Sequence, residues 1–274
     1  MTTKEKVVTD EQYGRVAKRT HELLTRFAKG AVDFQPVMDG LQLLIEGKSV
    51  VECGLWSCPY PQGFRIRTVQ EQLEVLTMFF PNLDASHAQE LASGDLPAGA
   101  EGWAVIPRPN KFGTYHGALG MVVELISKNR KFKNMLEGNL TDRHLRLTEK
   151  TKQVQDKLTI EQPGDYMVFP FQFGNKWRGD SVRDARFCFE DNEFGLGPYE
   201  VAILLLTHPD RITGRDQLII DCAGGEYRPS AKGAFVKFLF FGWRGCGEGQ
   251  FLLYYEDSDI PNKYYGVASG FLPK

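Results

Sequence analysis

The chain has 274 residues, of which 42% are hydrophobic and 12% aromatic, and its formal net charge is −2. This apolar content is sufficient for a packed core and argues against an intrinsically disordered chain. The near-neutral charge excludes a surface that is basic over its whole extent, although it permits a local basic patch. At roughly 100–200 residues per domain, the length suits one large domain or two small ones.

No segment of the sequence indicates export or membrane insertion. The first ten residues are polar and charged, and no apolar stretch of the kind found in signal peptides follows them. The longest apolar run, Val201–Leu206, is far shorter than the roughly 20 residues that cross a bilayer. Five cysteines are an odd number in a long chain, which favours reduced thiols over a disulfide framework. We therefore expect a cytoplasmic protein that has no membrane partner.

The N-terminal portion of the chain is predicted to be helical. Apolar residues recur at helical spacing between residues 10 and 47, with an interruption at Gly30. The stretch Cys53–Gly63 contains two prolines and two glycines, which is typical of a loop or linker. We therefore predict a helical portion over residues 1–60, which need not fold independently, and a main α+β domain over residues 61–274.

The first half of this domain is predicted to contain capped helices and one short strand. Thr68-Val-Gln-Glu71 has the pattern of a capping box, which begins a helix. Gly102–Pro107 is typical of a short apolar strand, and residues 115–136 have the spacing of a helix. The core-facing residues of that helix are predicted to be Leu119, Val122, Val123 and Ile126. A further polar helix is predicted from a cap at Thr141 to Leu158.

The second half is predicted to contain strands around one helix. Aromatic and β-branched runs bounded by glycine and proline predict four strands, at Tyr166–Phe173, Gln217–Cys222, Ala234–Gly242 and Gln250–Glu256. Pro198–His208 begins with proline and is continuously apolar, which predicts a buried helix. Helices followed by strands indicate an α+β fold: N-terminal helices and then a mixed or antiparallel sheet with one buried helix.

The segment Phe171–Arg186 is the most informative for function. A predicted strand passes through two glycines into a helix that Asp180 or Ser181 can cap. Helix N termini attract anions, and guanidinium groups bind phosphate or carboxylate in a bidentate manner. The candidate anion-binding residues are Lys176, Arg178, Ser181, Arg183 and Arg186. The alternative is that acidic residues of the same chain neutralise these cations.

Two carboxylates are the candidate catalytic residues. Asp221 and Glu226 follow a predicted strand and flank a pair of glycines, where they can act as an acid–base pair. Cys222 would be a nucleophile only with a histidine beside it, and a cysteine at a strand end is more often a small buried residue. The histidines and cysteines lack the spacings of metal-binding motifs, so no metal site is predicted.

A basic stretch runs from Lys128 to Lys157. It contains nine Lys or Arg residues and four acidic residues, a local charge of +5, with Phe132 among them. Cations interleaved with aromatic rings are typical of surfaces that follow a nucleic-acid backbone. The alternative is a solvated helical face with ion pairs along the helix.

Several strings in the sequence resemble those of a group of uncharacterised proteins from candidate-phylum bacteria. The resemblance covers about residues 100–274 and lies in Trp103–Arg108, Gln172–Gly174, Arg178–Arg183, Asn192–Leu196, Leu206–Arg211, Ile220–Gly224 and Ser269–Pro273. It implies a bacterial cytosolic protein. Because the group has no assigned activity, the resemblance implies no catalytic residues.

Three functions follow as hypotheses. The first is a protein that binds a phosphate-bearing partner, nucleic acid or nucleotide, through the arginine-rich segment. The second is a hydrolase or transferase that uses Asp221 and Glu226 on an anionic substrate. The third is a protein-interaction module in which the arginines are structural. Whether the chain is an enzyme, which cofactor it uses and its oligomeric state stay open at this point.

Overall fold

The computed structural model of the protein describes residues 17, 20–21, 23–25, 60–244 and 249–273. The chain divides into two compact units, Met1–Trp56 and Ser57–Lys274. The helices predicted between residues 10 and 47 lie outside the described residues, except at the six positions from 17 to 25 just named, which are helical. The helical portion over residues 1–60 therefore stays a prediction.

The described part of the second unit contains six α-helices, nine strands and two 3₁₀ helices, Pro109–Phe112 and Pro209–Arg211. The helices are α1 Val69–Phe79, α2 Ala88–Leu91, α3 Tyr115–Asn129, α4 Glu149–Glu161, α5 Val182–Cys188 and α6 Pro198–Thr207. The strands are β1 Gly102–Pro107, β2 Phe132–Asn134, β3 Leu145–Leu147, β4 Tyr166–Gln172, β5 Glu193–Gly195, β6 Ile219–Tyr227, β7 Lys237–Arg244, β8 Gln250–Asp257 and β9 Tyr265–Phe271. This content confirms the predicted α+β fold.

The strands form one mixed sheet. Its order is β1-β4-β9-β6-β7-β8-β2, with β3 also beside β6 and β5 beside β9. The pairs β6–β9 and β2–β8 are parallel, and the others are antiparallel. In the register of β6, Asp221 lies between Phe240 of β7 and Val267 of β9. The strand predicted to end at Cys222 continues to Tyr227, which places Asp221 in the middle of the sheet.

Helix α6 is the buried helix that the sequence predicted. All ten of its residues are buried, Pro198 is in its first turn, and Pro209 follows its end. It contacts α1, α3 and the strands β1, β6 and β7, which explains why it is apolar on every side. The predicted core residues of α3 are likewise buried: Leu119, Val122, Val123 and Ile126.

The edge strand β1 is paired by a side chain on its outer side. Gln72 of α1 is 0% exposed, and its Nε2 donates a 2.7 Å hydrogen bond to the carbonyl of Trp103. Its Oε1 accepts a 3.1 Å hydrogen bond from the amide of Val105. One amide side chain thus satisfies two backbone groups that a neighbouring strand would otherwise pair.

Three element predictions need correction. The helix predicted over residues 115–136 ends at Asn129, and Phe132–Asn134 instead pairs with β8 as strand β2. The helix predicted from Thr141 begins only at Glu149, with Thr148 as its cap, because Leu145–Leu147 pairs with β6 as strand β3. Strand β9 was not predicted as a strand of its own. It contains Gly266, where an added Cβ would lie 2.5 Å from the carbonyl oxygen of Gly174. The backbones of these two residues are so close that only glycine fits at position 266. Because glycine is unfavourable in strands, the sequence of β9 does not have the pattern of a strand.

Candidate functional site

The predicted strand–turn–helix segment joins β4 to α5, and Ser181 is its cap. The Ser181 side chain accepts a 3.1 Å hydrogen bond from the amide of Asp184. In the turn, Gly174 and Gly179 have φ values of 117° and 81°. Glycine adopts these backbone conformations without steric cost, so both residues suit the turn. The segment therefore has the local shape that its sequence predicts.

Lys176 neutralises a buried carboxylate. Its Nζ lies 2.6 Å from Oε2 of Glu193, whose side chain is 0% exposed. Glu193 also accepts hydrogen bonds from Nε1 of Trp177, at 2.7 Å, and from the hydroxyl of Ser269, at 2.6 Å. A buried charge that loses its partner is strongly destabilising. The contacts of Lys176 are therefore those of a structural counter-ion.

Arg186 ties α5 to β6 through backbone carbonyls. Its Nε donates to the carbonyl of Ala223 at 2.7 Å, and Nη2 donates to that of Gly225 at 2.8 Å. Burial lowers the pKa of Arg186 to about 10, so the guanidinium is still charged at neutral pH. The carbonyls of a glycine-containing strand segment are thereby satisfied by a charged donor.

The other two arginines have separate partners. Arg183 forms an exposed ion pair with Asp259, with 2.6 Å between Nη2 and Oδ2 and a side chain that is 66% exposed. Arg178 donates to Oδ1 of Asn175. The three arginines thus have three different sets of partners, and acidic residues neutralise Lys176 and Arg183, as the alternative predicts. Anion binding by this segment stays a prediction, and Arg183 is its most exposed cation.

The two candidate catalytic carboxylates have unlike surroundings. Asp221 is 1% exposed, and its Oδ1 has no hydrogen-bond partner within the described part of the chain. Burial, and secondarily the charge of Glu256, raises the pKa of Asp221 well above its ordinary value. Glu226 instead pairs with Arg146, with 2.7 Å between Nε and Oε2. The contacts of neither carboxylate involve the other.

Cys222, next to Asp221, is a buried thiol. It is 0% exposed, and burial raises its pKa well above the ordinary value. A thiol that resists ionisation is a poor nucleophile, because the thiolate is the reactive form. The structural interpretation of this cysteine is therefore favoured.

A third carboxylate, which the sequence analysis did not select, lies in the first turn of α6. Glu200 is 1% exposed, and its Oε1 accepts a 2.8 Å hydrogen bond from Nε2 of Gln155. Its Oε2 accepts a 3.1 Å hydrogen bond from the hydroxyl of Tyr115. Burial raises the pKa of Glu200 to about 7. The sequence does contain a feature that could have identified Glu200: it is an acidic residue three positions after a helix cap, within an otherwise apolar run.

Three cations of the basic stretch Lys128–Lys157 have partners within the chain. Lys128 pairs with Glu124 at 2.6 Å, and Lys157 lies 3.9 Å from Glu161. Lys150 donates to the carbonyl of Glu190 at 2.8 Å. These are the pairs along helices and between neighbouring segments that a solvated face would have.

One part of the stretch meets an aromatic ring from the second half of the chain. The guanidinium carbons of Arg146, in β3, and Arg228, just after β6, each lie 4.3 Å from the centre of the Phe235 ring. We call Arg146, Arg228 and Phe235 the Arg–Phe cluster. Lys232, in the turn that leads to Phe235, and Arg143 are exposed. Arg146 thus meets Arg228 and Phe235, which lie 82 and 89 residues further along the chain, at one basic and aromatic site.

Donor groups of the Arg–Phe cluster are available for a ligand. Arg146 uses Nε for Glu226, and its two terminal nitrogens have no acceptor among the described residues. Arg228 donates from Nε to the carbonyl of Arg143 at 2.7 Å and from Nη1 to that of Gly233 at 3.3 Å. Its Nη2 has no acceptor in the described ranges. Guanidinium groups with free N–H edges are well suited to phosphate oxygens.

Other classes of site receive no support from the described part of the chain. It contains no helix with the length and apolar character that crossing a membrane requires. Nor does it contain a cluster of three or more His, Cys, Asp or Glu side chains that could bind a metal ion. No family model, curated protein or solved structure matches the chain.

Proposed function

We propose that the protein binds nucleic acid through the Arg–Phe cluster. The observation that carries the proposal is the convergence of Arg146 and Arg228 on Phe235, at 4.3 Å each. Both terminal nitrogens of Arg146 and Nη2 of Arg228 have no hydrogen-bond acceptor among the described residues. An aromatic ring fixes the plane of each guanidinium, so less side-chain entropy is lost when a phosphate binds.

A polymer suits this surface better than a mononucleotide. The Arg146 side chain is 58% exposed, and Arg143, whose carbonyl accepts from Arg228, and Lys232, three residues before Phe235, are exposed as well. Small ligands are usually bound in clefts that bury most of their surface. A polyanion instead gains affinity from several open cationic contacts, each of which releases counterions.

The intramolecular alternative is that Arg146 and Arg228 only fasten the turn that carries Phe235. Arg146 does pair with Glu226, and Arg228 does hold two carbonyls. Half-exposed ion pairs of the Arg146–Glu226 kind contribute only about 0–1 kcal/mol to stability. Replacing Arg146 therefore tests binding without a large risk to the fold.

The test is a salt titration of binding to a mixed-sequence oligonucleotide by fluorescence anisotropy. We expect affinity to fall steeply with salt, and Arg146→Gln to lower it and to reduce the slope of log K against log salt by about 1. Arg65→Gln is the matched control, since Arg65 also forms an exposed ion pair, with Glu71. Absence of binding at low salt, or equal loss in both variants, would contradict the proposal.

A further inference from the structure

The unused donors of the Arg–Phe cluster lie close together. The guanidinium carbons of Arg146 and Arg228 are each 4.3 Å from the centre of the Phe235 ring, so they are no farther apart than twice that distance. Alternate residues of a strand share a face, which puts the side chains of Arg146, Glu226 and Arg228 on one face of the β3–β6 pair. Both terminal nitrogens of Arg146 and Nη2 of Arg228 are therefore within reach of one phosphate group.

A phosphate at the end of a nucleic-acid strand matches these donors better than a phosphate within it. A terminal phosphate has three acceptor oxygens and a charge of about −1.5 to −2 near pH 7, whereas an internal diester has one charge. The side-chain charges of the site fit the larger value. Burial lowers the pKa of Arg186 and the charge of Glu226 acts in the opposite direction, so these two groups are neighbours. With Arg146 and Arg228, the arginines exceed this carboxylate by two positive charges.

Glu226 restricts one side of the site. It lies opposite Arg146 in the β3–β6 ladder, and its Oε2 is 2.7 Å from Nε of that arginine. Because Nε is occupied, the free edge of the guanidinium is the one formed by its two terminal nitrogens, which suits bidentate contact with a phosphate. The Glu226 side chain is 25% exposed, so a nucleic-acid backbone that continued past it would meet a like charge. A strand that ends at the cluster avoids this repulsion.

We infer that the Arg–Phe cluster binds the terminal phosphate of a nucleic-acid strand, and that Glu226 disfavours internal phosphates there. The inference rests on the proposed function and specifies which part of the polymer enters the cluster. Arg146 donates to the phosphate from both terminal nitrogens and Arg228 from Nη2, while the rest of the strand extends away from Glu226. Because 5′ and 3′ phosphates offer the same oxygens and charge, the test includes both ends.

The test compares single-stranded DNAs of one mixed sequence, each with a fluorophore on an internal base, at one salt concentration. Three probes have a 5′ phosphate, a 3′ phosphate or hydroxyl groups at both ends. A fourth has hydroxyl ends and one further nucleotide, so it contains as many phosphates as the phosphorylated strands. We expect the full chain to bind at least one phosphorylated strand about tenfold more tightly than the fourth probe, because a terminal phosphate accepts more charge-assisted hydrogen bonds than a diester.

Two variants test the assigned contacts. Arg146→Gln should bind every probe more weakly and lose most of the preference for a terminal phosphate. Glu226→Gln should keep the contacts with that phosphate and gain affinity for the hydroxyl-ended strands, which narrows the preference. Glu124→Gln is the matched control, since Glu124 also pairs with a cation, Lys128, and its replacement removes the same charge from helix α3. That control should leave the preference unchanged.

The outcomes separate the inference from the proposed function. Equal affinity for the phosphorylated strands and the fourth probe, with Arg146 still required, would overturn the inference and leave the proposed function standing. Equal changes of the preference in Glu226→Gln and Glu124→Gln would overturn the part assigned to Glu226. Failure of every probe to bind at low salt would reject the proposed function itself.

Discussion

The hydroxyl of Tyr115, the first residue of α3, donates a 3.1 Å hydrogen bond to Oε2 of Glu200 in the first turn of α6. The same hydroxyl accepts a 3.1 Å hydrogen bond from the amide of Tyr199. One phenol thus joins the N termini of the two helices that pack most closely on each other. At neutral pH the buried carboxyl at this junction is close to the midpoint of its titration, because burial raises its pKa to about 7.

The contribution of Glu200 to stability should fall as pH rises through this titration. The pKa of Glu200 is raised from 4.5 to about 7, so between these values the folded chain holds a proton that the unfolded chain has released. The contribution is fully present below pH 4.5 and is lost by about 1.4 kcal/mol per pH unit up to pH 7. Urea unfolding at several pH values would measure it. Glu200→Gln should remove this slope, and parallel profiles of the two proteins would contradict the prediction.

His208, at the other end of α6, should have the opposite effect. Its Nε2 accepts a 2.9 Å hydrogen bond from the amide of Arg67, so Nδ1 has the proton and donates to the carbonyl of Leu204 at 2.9 Å. Burial lowers the pKa of His208 from 6.5 to about 4. The unfolded chain then binds a proton first, and stability is lost as pH falls from 6.5 to 4.

The Glu200 and His208 slopes overlap and should cancel between about pH 4.5 and 6.5. Replacing either residue should therefore reveal the pH dependence of stability that the other one causes, and the two effects should have opposite signs. Relative to wild type, His208→Gln should gain stability as the pH falls through this window, and Glu200→Gln should lose it. Chemical unfolding of both variants in one buffer series checks this, and slopes of the same sign would show that other groups dominate.

Replacement of Asp221 should be increasingly favourable at higher pH. Its carboxyl is buried without a described partner for Oδ1, and its pKa is raised. Folding must therefore retain a proton that the unfolded chain releases above its ordinary pKa near 4, and the cost of retaining it grows with pH. Asp221→Asn has no such titration. The difference in unfolding free energy between variant and wild type should move in favour of the variant from pH 5 to pH 8, and a constant difference would refute this.

Loss of the Gln72 side chain should weaken the edge of the sheet. Gln72→Leu leaves the carbonyl of Trp103 and the amide of Val105 without their partner. An unsatisfied buried polar group costs about 1–3 kcal/mol, so we expect a loss of roughly 2–4 kcal/mol in unfolding free energy. Gln70→Leu, on the same helix, is the control, because Gln70 is exposed and should change stability by less than about 0.5 kcal/mol. Equal losses would assign the effect to the helix itself.

Local features of this protein could be predicted from its sequence. The capping box of α1 is present, with Glu71 N donating to the Thr68 hydroxyl oxygen at 3.3 Å and Thr68 N donating to Oε2 of Glu71 at 2.8 Å. Buried α6 and the cap at Ser181 were also predictable. In the two caps, the groups that form the hydrogen bonds lie within a few residues of each other. In α6, the apolar pattern is continuous along the helix. Neighbouring residues therefore determine each of these structures.

Tertiary structure alone decided the partners of the charged groups. Arg186 donates to carbonyls 37 and 39 residues away, and Lys176 pairs with a carboxylate 17 residues away. Composition shows that acceptors exist but not which one each cation meets. The Arg–Phe cluster has the same origin, since Arg146 and Phe235 meet only because β3 pairs with β6. Spacing along the chain determines the helices and most strands, whereas long-range strand pairing determines which charges remain available to a ligand.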